Sequence, residues 1–321
     1  MKLDSRIYIA GHRGLVGSAM VRALECKGYR NLLLRTHAEL DLTDRRAVAD
    51  FFRAEKPEYV FLAAAKVGGI VANSTYPADF IRDNLEIQTN VIHEAWAQDA
   101  KRLLFFGSSC VYPRECPQPI REDYLLSGPL EPTNSAYALA KIAGIEMCRA
   151  YNQQHDTQFL CVMPTNSYGP GDHYDLQTSH VLPAFMRKFH EAKVRGDSDV
   201  TIWGSGKPRR EFLHADDLAE ACVMLATLED AAYARALAAW RYPLINIGCG
   251  EDSTITELAQ TIAGVVGFSG TLRYDASKPD GTPQKLLDVA RIKALGWKPR
   301  IGLREGIAAT YQALLRDRTL D

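Results

Sequence analysis

Short apolar runs alternate with longer amphipathic stretches over the first half of the chain. The apolar runs have the length of buried strands and end in glycine or polar residues. They cover residues 6–11, 31–36, 59–65, 102–109 and 158–169. The stretches between them have helical spacing and cover residues 18–28, 45–57, 78–100 and 135–155. Strands that alternate with helices predict an α/β fold with a Rossmann-like, doubly wound parallel sheet.

This alternation weakens after about residue 170. Glycine, proline, histidine and aspartate cluster over residues 168–175, which predicts a loop. Further on, residues 245–250 have the pattern of a short buried strand. Residues 254–267 and 303–316 predict amphipathic helices.

These patterns predict an unequal division of the chain. We expect a Rossmann-like domain over residues 1–170, to which a later segment near 211–250 returns. The remainder, 171–321, is expected to form mainly a smaller, mixed α/β C-terminal lobe. No internal repeat or low-complexity tract divides the chain further.

Composition narrows the class of protein. The chain has 321 residues, 46% of them hydrophobic, and a net charge of −1, so we expect no nucleic-acid or membrane partner. Its seven cysteines are scattered and form no CxxC pair, so neither a disulfide framework nor a metal site is expected. No apolar run reaches the roughly 18 residues of a membrane span. A cytoplasmic location follows as an expectation.

The sequence GHRGLVG at residues 11–17 follows the first predicted strand. Glycines at 11, 14 and 17 allow a tight turn and close backbone approach, Leu15 and Val16 are expected cofactor contacts within the loop, and a predicted helix follows from residue 18. The amino end of a helix favours a pyrophosphate, so this position predicts dinucleotide binding. An ordinary glycine-rich turn between strand and helix is the alternative.

Basic residues surround the end of the second predicted strand. NAD sites usually place an acidic residue there for the ribose 2′-hydroxyl, but this chain has Arg35 and His37, with Arg13 in the glycine loop. Positive groups favour a 2′-phosphate and hence NADP(H). Glu39 comes slightly late for the acidic role, and solvated surface positions are the alternative for Arg35 and His37.

Tyr137 and Lys141 are spaced four residues apart in YALAK, on one face of a predicted helix. A lysine ammonium near a phenol is expected to lower the tyrosine pKa, and such a tyrosine can protonate a carbonyl oxygen during reduction. Ser108 ends the fourth predicted strand, where ligands of such folds bind, and can bond the same oxygen. Alone, a YxxxK pair is usually incidental; its order after the glycine loop and the serine favours a reductase.

With these motifs, the chain resembles the extended short-chain dehydrogenase/reductase family of nucleotide-sugar enzymes. The resemblance extends to residues 210–219, REFLHADDLA, and 295–307, LGWKPRIGLREGI. Further matching stretches lie at 63–81, 107–113, 131–145, 162–172, 179–184, 203–214 and 275–289. The resemblance therefore covers nearly the whole chain.

The resemblance implies one reaction in particular. It predicts that GDP-4-keto-6-deoxy-D-mannose is inverted at C3 and C5 and that NADPH then reduces the C4 ketone. Protons beside a ketone are acidic, and Ser108 and Tyr137 can stabilise the resulting oxyanion. Inversion also needs an acid and a base near working pH, and the resemblance assigns this pair to Cys110 and His180. Cys110 as base and His180 as acid is the favoured hypothesis.

The resemblance also implies binding residues and an assembly. Cofactor contacts are expected at Leu42, Lys141, Pro164 and Asn166 in addition to the glycine loop and the basic residues. The GDP-sugar is expected to contact Lys188, Trp203, Arg210 and Asp280. Each has a plain structural alternative, such as a solvated charge, a core indole or a turn-forming aspartate. A homodimer through the helices at 78–100 and 135–155 is implied as well.

Three other functions remain open from the sequence. A 4-reductase without epimerisation would not need Cys110 and His180. A 4-epimerase with tightly held NAD would favour an acidic residue at the end of the second strand. A silent NADP-binding sensor would have no need of the complete set Ser108, Tyr137 and Lys141.

Overall fold

The computed structural model describes residues 1–176, 178–278 and 280–317. The strands are β1 (Ile7–Ala10), β2 (Leu32–Leu33), β3 (Tyr59–Leu62), β4 (Arg102–Phe106), β5 (Phe159–Pro164), β6 (Asn166–Tyr168), β7 (Asp199–Trp203), β8 (Arg209–His214), β9 (Leu244–Ile247), β10 (Asp252–Thr254), β11 (Thr271–Asp275) and β12 (Gln284–Lys285). The helices are α1 (Leu15–Cys26), α2 (Arg45–Glu55), α3 (Ile70–Thr75), α4 (Pro77–Ala97), α5 (Ser135–His155), α6 (Val181–Arg195), α7 (Ala215–Thr227), α8 (Asp230–Ala239), α9 (Ile255–Val266), α10 (Ala290–Ala294) and α11 (Leu303–Arg316).

Six strands form a parallel sheet in the order β2-β1-β3-β4-β5-β9. Strands β1, β3, β4 and β9 are buried along their whole length, because helices cover the sheet. On one side α4 packs against α2 and α5, and a second pair consists of α1 and α7. The predicted doubly wound α/β architecture is confirmed.

The strand order reverses next to β1, which has β2 on one side and β3 on the other. Such a reversal opens a crevice at the carboxyl ends of the strands, where ligands of these folds bind. The glycine loop follows β1 and the Ser108 turn follows β4 at this edge. The fold therefore brings together motifs that lie about a hundred residues apart in sequence.

A second core lies outside the central sheet. Strand β8 pairs with β10 in antiparallel fashion and with β6 and β12 in parallel fashion, while β7 pairs with β11. Helices α6, α9 and α11 supply apolar side chains such as Phe189, Leu258 and Ile307 to this core. Strand β9 joins the central sheet, as predicted for residues 245–250. The domain boundary at residue 170 stays a prediction.

Some predicted element bounds differ from the structure. The first helix begins at Leu15 rather than 18, because Gly14 is its N-cap and Gly17 lies within it. The second strand is reduced to Leu32–Leu33, since the chain then turns through hydrogen bonds between Thr36 and Glu39.

Candidate active site

The glycine loop has a backbone geometry suited to glycine. Gly11 has φ +85°, a region that side chains disfavour. A Cβ on Gly17 would lie 2.1 Å from the carbonyl oxygen of Gly11. Gly14 is the N-cap residue and offers no side chain to the free amides of α1. The amino end of α1, with Leu15 and Val16 in its first turn, is therefore open to an anionic group such as a pyrophosphate.

The basic side chains beside this loop differ in their exposure and in their ion pairs. Arg13 is exposed, and the His37 side chain is 84% exposed, 3.8 Å from Asp41. Arg35 is instead paired with Glu55, with 2.5 Å between guanidinium nitrogen and carboxylate oxygen. Arg13 and His37 fit a 2′-phosphate directly, whereas Arg35 would have to share or leave Glu55.

Glu39 and Leu42 have local roles beyond β2. Glu39 accepts hydrogen bonds from the backbone N–H and hydroxyl of Thr36, which lower the pKa of its carboxyl. The Glu39 carboxylate therefore bonds within its own turn, and it is not placed to accept a hydrogen bond from the ribose 2′-hydroxyl. Leu42 is buried, and its carbonyl oxygen accepts a hydrogen bond from Asn90. A cofactor contact at Leu42 stays a prediction.

Ser108 and Tyr137 meet at the carboxyl end of β4. Ser108 hydrogen-bonds the Tyr137 hydroxyl, and its own oxygen also accepts the Cys110 N–H at 3.3 Å. Burial raises the pKa of Tyr137, the nearby Cys110 raises it further, and the Ser108 bond opposes this. Tyr137 is therefore a protonated group, placed to donate a hydrogen bond or a proton to a substrate oxygen.

Lys141 lies beneath this pair. Its Nζ donates to the carbonyl oxygen of Phe106 at 2.8 Å and lies 5.9 Å from the centre of the Tyr137 ring. Burial lowers the pKa of Lys141 to about 7. The sequence predicted that this lysine would lower the pKa of Tyr137, and that expectation is wrong here. Burial is the largest influence on the pKa of both groups, and it disfavours the charged form of each.

Cys110 occupies a 3-10 turn, Ser109–Val111, and is partly exposed. The Nδ2 of Asn134 donates to its Sγ at 3.2 Å. Sequence reasoning missed Asn134, although it directly precedes α5 and lies three residues before Tyr137. The structure thus gathers Cys110, Ser108, Tyr137 and Asn134 around one turn.

His180 is the N-cap residue of α6. Burial by the surrounding chain, and then the neighbouring His173, lower its pKa. The preceding loop is fixed to the β3 side of the crevice by Gly69, whose N–H donates to the Thr178 oxygen at 3.1 Å. Among the hydrogen bonds of the described residues, none joins His180 to Cys110. The acid–base pairing of the two stays a prediction.

Lys188 and Trp203 lie together in the second lobe. The Lys188 Nζ is 5.0 Å from the Trp203 ring centre, and Lys278, which sequence reasoning missed, is at 5.5 Å. The indole is 55% exposed, and burial lowers the pKa of Lys188. An exposed aromatic ring flanked by ammonium groups suits a nucleotide, which presents both a planar base and phosphates.

Arg210 and Asp280 lie close to this surface. Burial lowers the pKa of Arg210, and a Cβ on Gly281 would be 3.5 Å from its guanidinium. Lys285, missed from the sequence, pairs in register with Arg210 on the neighbouring strand. Asp280 accepts two hydrogen bonds from Ser205, at 2.6 and 2.7 Å. Asp280 therefore fixes the turn after β7, and its contact with nucleotide stays a prediction.

Pro164 and Asn166 connect the two sheets. Pro164 ends β5 at the edge of the crevice, and Asn166 begins β6, with its Nδ2 bonded to the Glu211 oxygen at 2.9 Å. Both are placed beside the crevice predicted to hold the cofactor.

The described residues hold neither a metal-binding cluster nor a membrane-spanning helix. No group of three or more His, Cys, Asp or Glu side chains there could hold a metal ion. No helix within the described part of the chain is both long and apolar enough to span a membrane.

Comparison with known proteins agrees with this arrangement. The model of the NAD dependent epimerase/dehydratase family matches residues 7–238. The chain is 55% identical to GDP-L-fucose synthase 1 of Arabidopsis thaliana, over 98% of this chain and 94% of that protein. It is 54% identical to GDP-L-fucose synthase of Escherichia coli K12, over 97% of each.

A solved structure is also similar along its whole length. The GDP-mannoheptose C4 reductase of Campylobacter jejuni with NADP bound is 41% identical, covers 98% of this chain and 99% of its own, and has a TM-score of 0.88. With the glycine loop and the Ser108, Tyr137 and Lys141 cluster in place, the chain belongs to the NAD dependent epimerase/dehydratase family.

Proposed function

We propose that this enzyme converts GDP-4-keto-6-deoxy-D-mannose to GDP-L-fucose, first inverting C3 and C5 and then reducing the C4 ketone with NADPH. The observation that carries the proposal is the turn after β4, where Cys110 lies beside the Ser108 and Tyr137 pair. The relatives named GDP-L-fucose synthase, 54% and 55% identical, support the same reaction.

NADPH, when bound, supplies the hydride that reduces the ketone. The glycine loop and the amino end of α1 would hold its pyrophosphate, with Arg13 and His37 at the 2′-phosphate. Pro164, Asn166 and Lys141 line the crevice beyond. Tyr137, which burial keeps protonated, donates a proton to the C4 oxygen as the hydride arrives.

Inversion uses the same oxygen contacts. Ser108 and Tyr137 stabilise the negative charge at the C4 oxygen when a proton leaves C3 or C5. Cys110 removes the proton from one face of the ring, and His180 returns one to the other face. Because burial and His173 lower the pKa of His180, its protonated form gives up a proton readily.

The GDP portion would bind in the second lobe. Lys188, Trp203 and Arg210 supply positive charge and an exposed ring, and Asp280 holds the adjacent turn. This assignment supports a division into a cofactor-binding domain over 1–170 and a mainly substrate-binding lobe over 171–321.

C4 reduction without inversion is the second candidate function. It is favoured by the similarity to the C. jejuni GDP-mannoheptose C4 reductase. A reductase alone needs Ser108, Tyr137 and Lys141 but gives no reason for a thiol in the same turn. The bifunctional reaction therefore accounts for more of the site.

We also propose that the enzyme forms a homodimer through α4 and α5. Leu139 is 50% exposed on α5, next to a helix pair whose other faces are already buried in the core. We place the enzyme in the cytoplasm, where its free thiols would remain reduced.

The deciding experiment is product analysis in deuterated water. The enzyme is incubated with GDP-4-keto-6-deoxy-D-mannose and NADPH, and the product is analysed by NMR. Deuterium at C3 and C5 of GDP-L-fucose supports the proposal. NADPH oxidation that gives a product without deuterium and with unchanged C3 and C5 configuration would establish the reductase instead.

A further inference from the structure

Asn134 is at the start of α5, but its side chain does not cap the helix. An asparagine at the N-cap usually accepts a hydrogen bond from an amide of the first turn, and Asn134 makes no such bond. Its Nδ2 donates to the Cys110 Sγ at 3.2 Å instead. Its Oδ1 is buried and has no hydrogen-bond partner within the described residues. The Asn134 side chain therefore bonds to the Cys110 turn and not to the first turn of its own helix.

We propose that Asn134 is a positioning residue for the inversion, whose amide N–H holds the Cys110 sulfur in the orientation that removes a ring proton. This inference rests on the function proposed above. Its buried carbonyl oxygen leaves an acceptor beside the sulfur that a bound donor can satisfy. A hydroxyl of the sugar has the chemistry to fill it.

A hydrogen-bond donor to the Cys110 sulfur, which the Asn134 amide supplies, suits the chemistry of proton removal. When the C–H bond beside the ketone breaks, its electron pair enters the enolate and the proton forms an S–H bond with the thiolate. A hydrogen bond to sulfur favours the thiolate before this step. The titratable group that faces Cys110 from α5 is Tyr137, whose pKa Cys110 raises. Asn134 is neutral, so it assists the thiolate without exchanging a proton itself.

Cys110 alkylation tests the contact without any substrate. The full chain is treated with iodoacetamide from pH 6 to 10, with and without NADP⁺, and alkylation of the Cys110 peptide is followed by mass spectrometry. In Asn134→Ala we expect Cys110 to be alkylated about threefold or more slowly than in wild type at neutral pH, because its sulfur loses the amide donor. Ser135→Ala, at the next position of α5, should keep the wild-type rate. An unchanged or faster rate in Asn134→Ala would overturn the proposal.

The two half-reactions give a second readout. In Asn134→Ala, deuterium exchange at C3 and C5 should fall by about tenfold or more. NADPH oxidation with a 4-keto sugar already inverted at both carbons should change less than about threefold. Equal losses in both would mean that Asn134 only supports α5, which contradicts the proposal. The isosteric Asn134→Asp gives the same readouts if Asn134→Ala does not fold. A wild-type enzyme that exchanges no protons would refute the proposed function, while the alkylation result would still decide the role of Asn134.

Discussion

At the scale of single residues, the turn after β4 combines a hydroxyl and a thiol with different tasks. In the proposed mechanism, Ser108 and Tyr137 form a donor pair for one substrate oxygen. Cys110 is partly exposed two residues later, and thiols ionise much closer to neutral pH than hydroxyls. In the proposed mechanism, one turn therefore both stabilises an oxyanion and moves the proton that creates it.

Cys110→Ser should separate the two reactions. The hydroxyl cannot serve as a base near neutral pH, so deuterium exchange at C3 and C5 should fall by about 100-fold or more. Reduction of a 4-keto sugar already inverted at both carbons should remain within about threefold of wild type. NMR measures the exchange, and NADPH absorbance measures the reduction.

Cys116→Ser is the matched control, since Cys116 is also partly exposed and lies six residues further along the same connection. It should leave both rates unchanged. Normal exchange in Cys110→Ser would remove the thiol from the mechanism and assign the proton to another group.

Buried Lys141 predicts a pH dependence of stability. Its pKa is about 7 in the folded protein and 10.5 ordinarily, so between these values the unfolded chain binds more protons. Stability should therefore rise with pH from 7 toward 10, by up to about 1.4 kcal/mol per pH unit from this group. Urea unfolding of the cofactor-free protein at several pH values measures the slope.

Lys141→Met should remove this part of the slope, and the exposed Lys27→Met should retain it. Lys27 pairs with Glu220 at the surface, so its substitution controls for the loss of a lysine in general. Identical slopes for wild type and Lys141→Met would show that Lys141 keeps its proton in the folded state.

The positions of the candidate side chains at strand ends and on helix faces were predictable, but their partners were not. Ser108, Tyr137 and Lys141 follow from strand ends and helical spacing. The pairing of Arg35 with Glu55 joins positions 20 residues apart, and Asn134 reaches Cys110 across 24. Such contacts depend on how helices dock, which local periodicity does not encode.

At the scale of elements, the packing of α1 over the glycine loop makes Gly17 the least replaceable loop position. In Gly17→Ala, the new Cβ would lie 2.1 Å from the Gly11 oxygen and 2.8 Å from the His12 Cα. The helix must shift, which should destabilise the protein by about 1–3 kcal/mol. NADPH affinity, measured by fluorescence titration, should fall by at least about tenfold, because the amino end of α1 moves.

Gly302→Ala serves as the control, because a Cβ on Gly302 meets nothing within 4 Å at the start of α11. Its melting temperature and NADPH affinity should match wild type. Wild-type affinity in Gly17→Ala would mean that the cofactor does not depend on the position of α1.

Elements with strong periodicity were predicted well, and weakly patterned ones were not. The predicted helix at 135–155 matches α5 residue for residue. The short helix α3, Ile70–Thr75, was missed because six residues give too little periodicity. Strands β6, β10 and β12 have two or three residues each. Each of them forms by pairing with β8, which their own short sequences do not indicate.

At the scale of the whole molecule, β8 ties the two cores together. Glu211 is fully buried, and its carboxylate accepts hydrogen bonds from the N–H groups of Gly250 at 2.7 Å and Leu287 at 3.0 Å. Burial raises the pKa of this carboxyl, and these bonds oppose the shift. The return of β9 to the central sheet was predictable from its apolar pattern. The pairing of β8 with β6, β10 and β12 joins residues about 40 to 75 positions apart in sequence, and no local pattern specifies it.

The proposed homodimer gives a prediction for the assembly. Leu139 is 50% exposed on α5, and a charge there would be buried without a partner if α4 and α5 meet their copies. Leu139→Arg should therefore weaken dimerisation by about 30-fold or more, and light scattering after size-exclusion chromatography should show monomers at micromolar concentration.

Val194→Arg is the control, since Val194 is 72% exposed on α6 and should leave the dimer intact. Because Ser108, Tyr137 and Lys141 lie together within one chain, we expect the monomeric Leu139→Arg to oxidise NADPH still. A dimer of unchanged stability in Leu139→Arg would place the interface elsewhere on the surface.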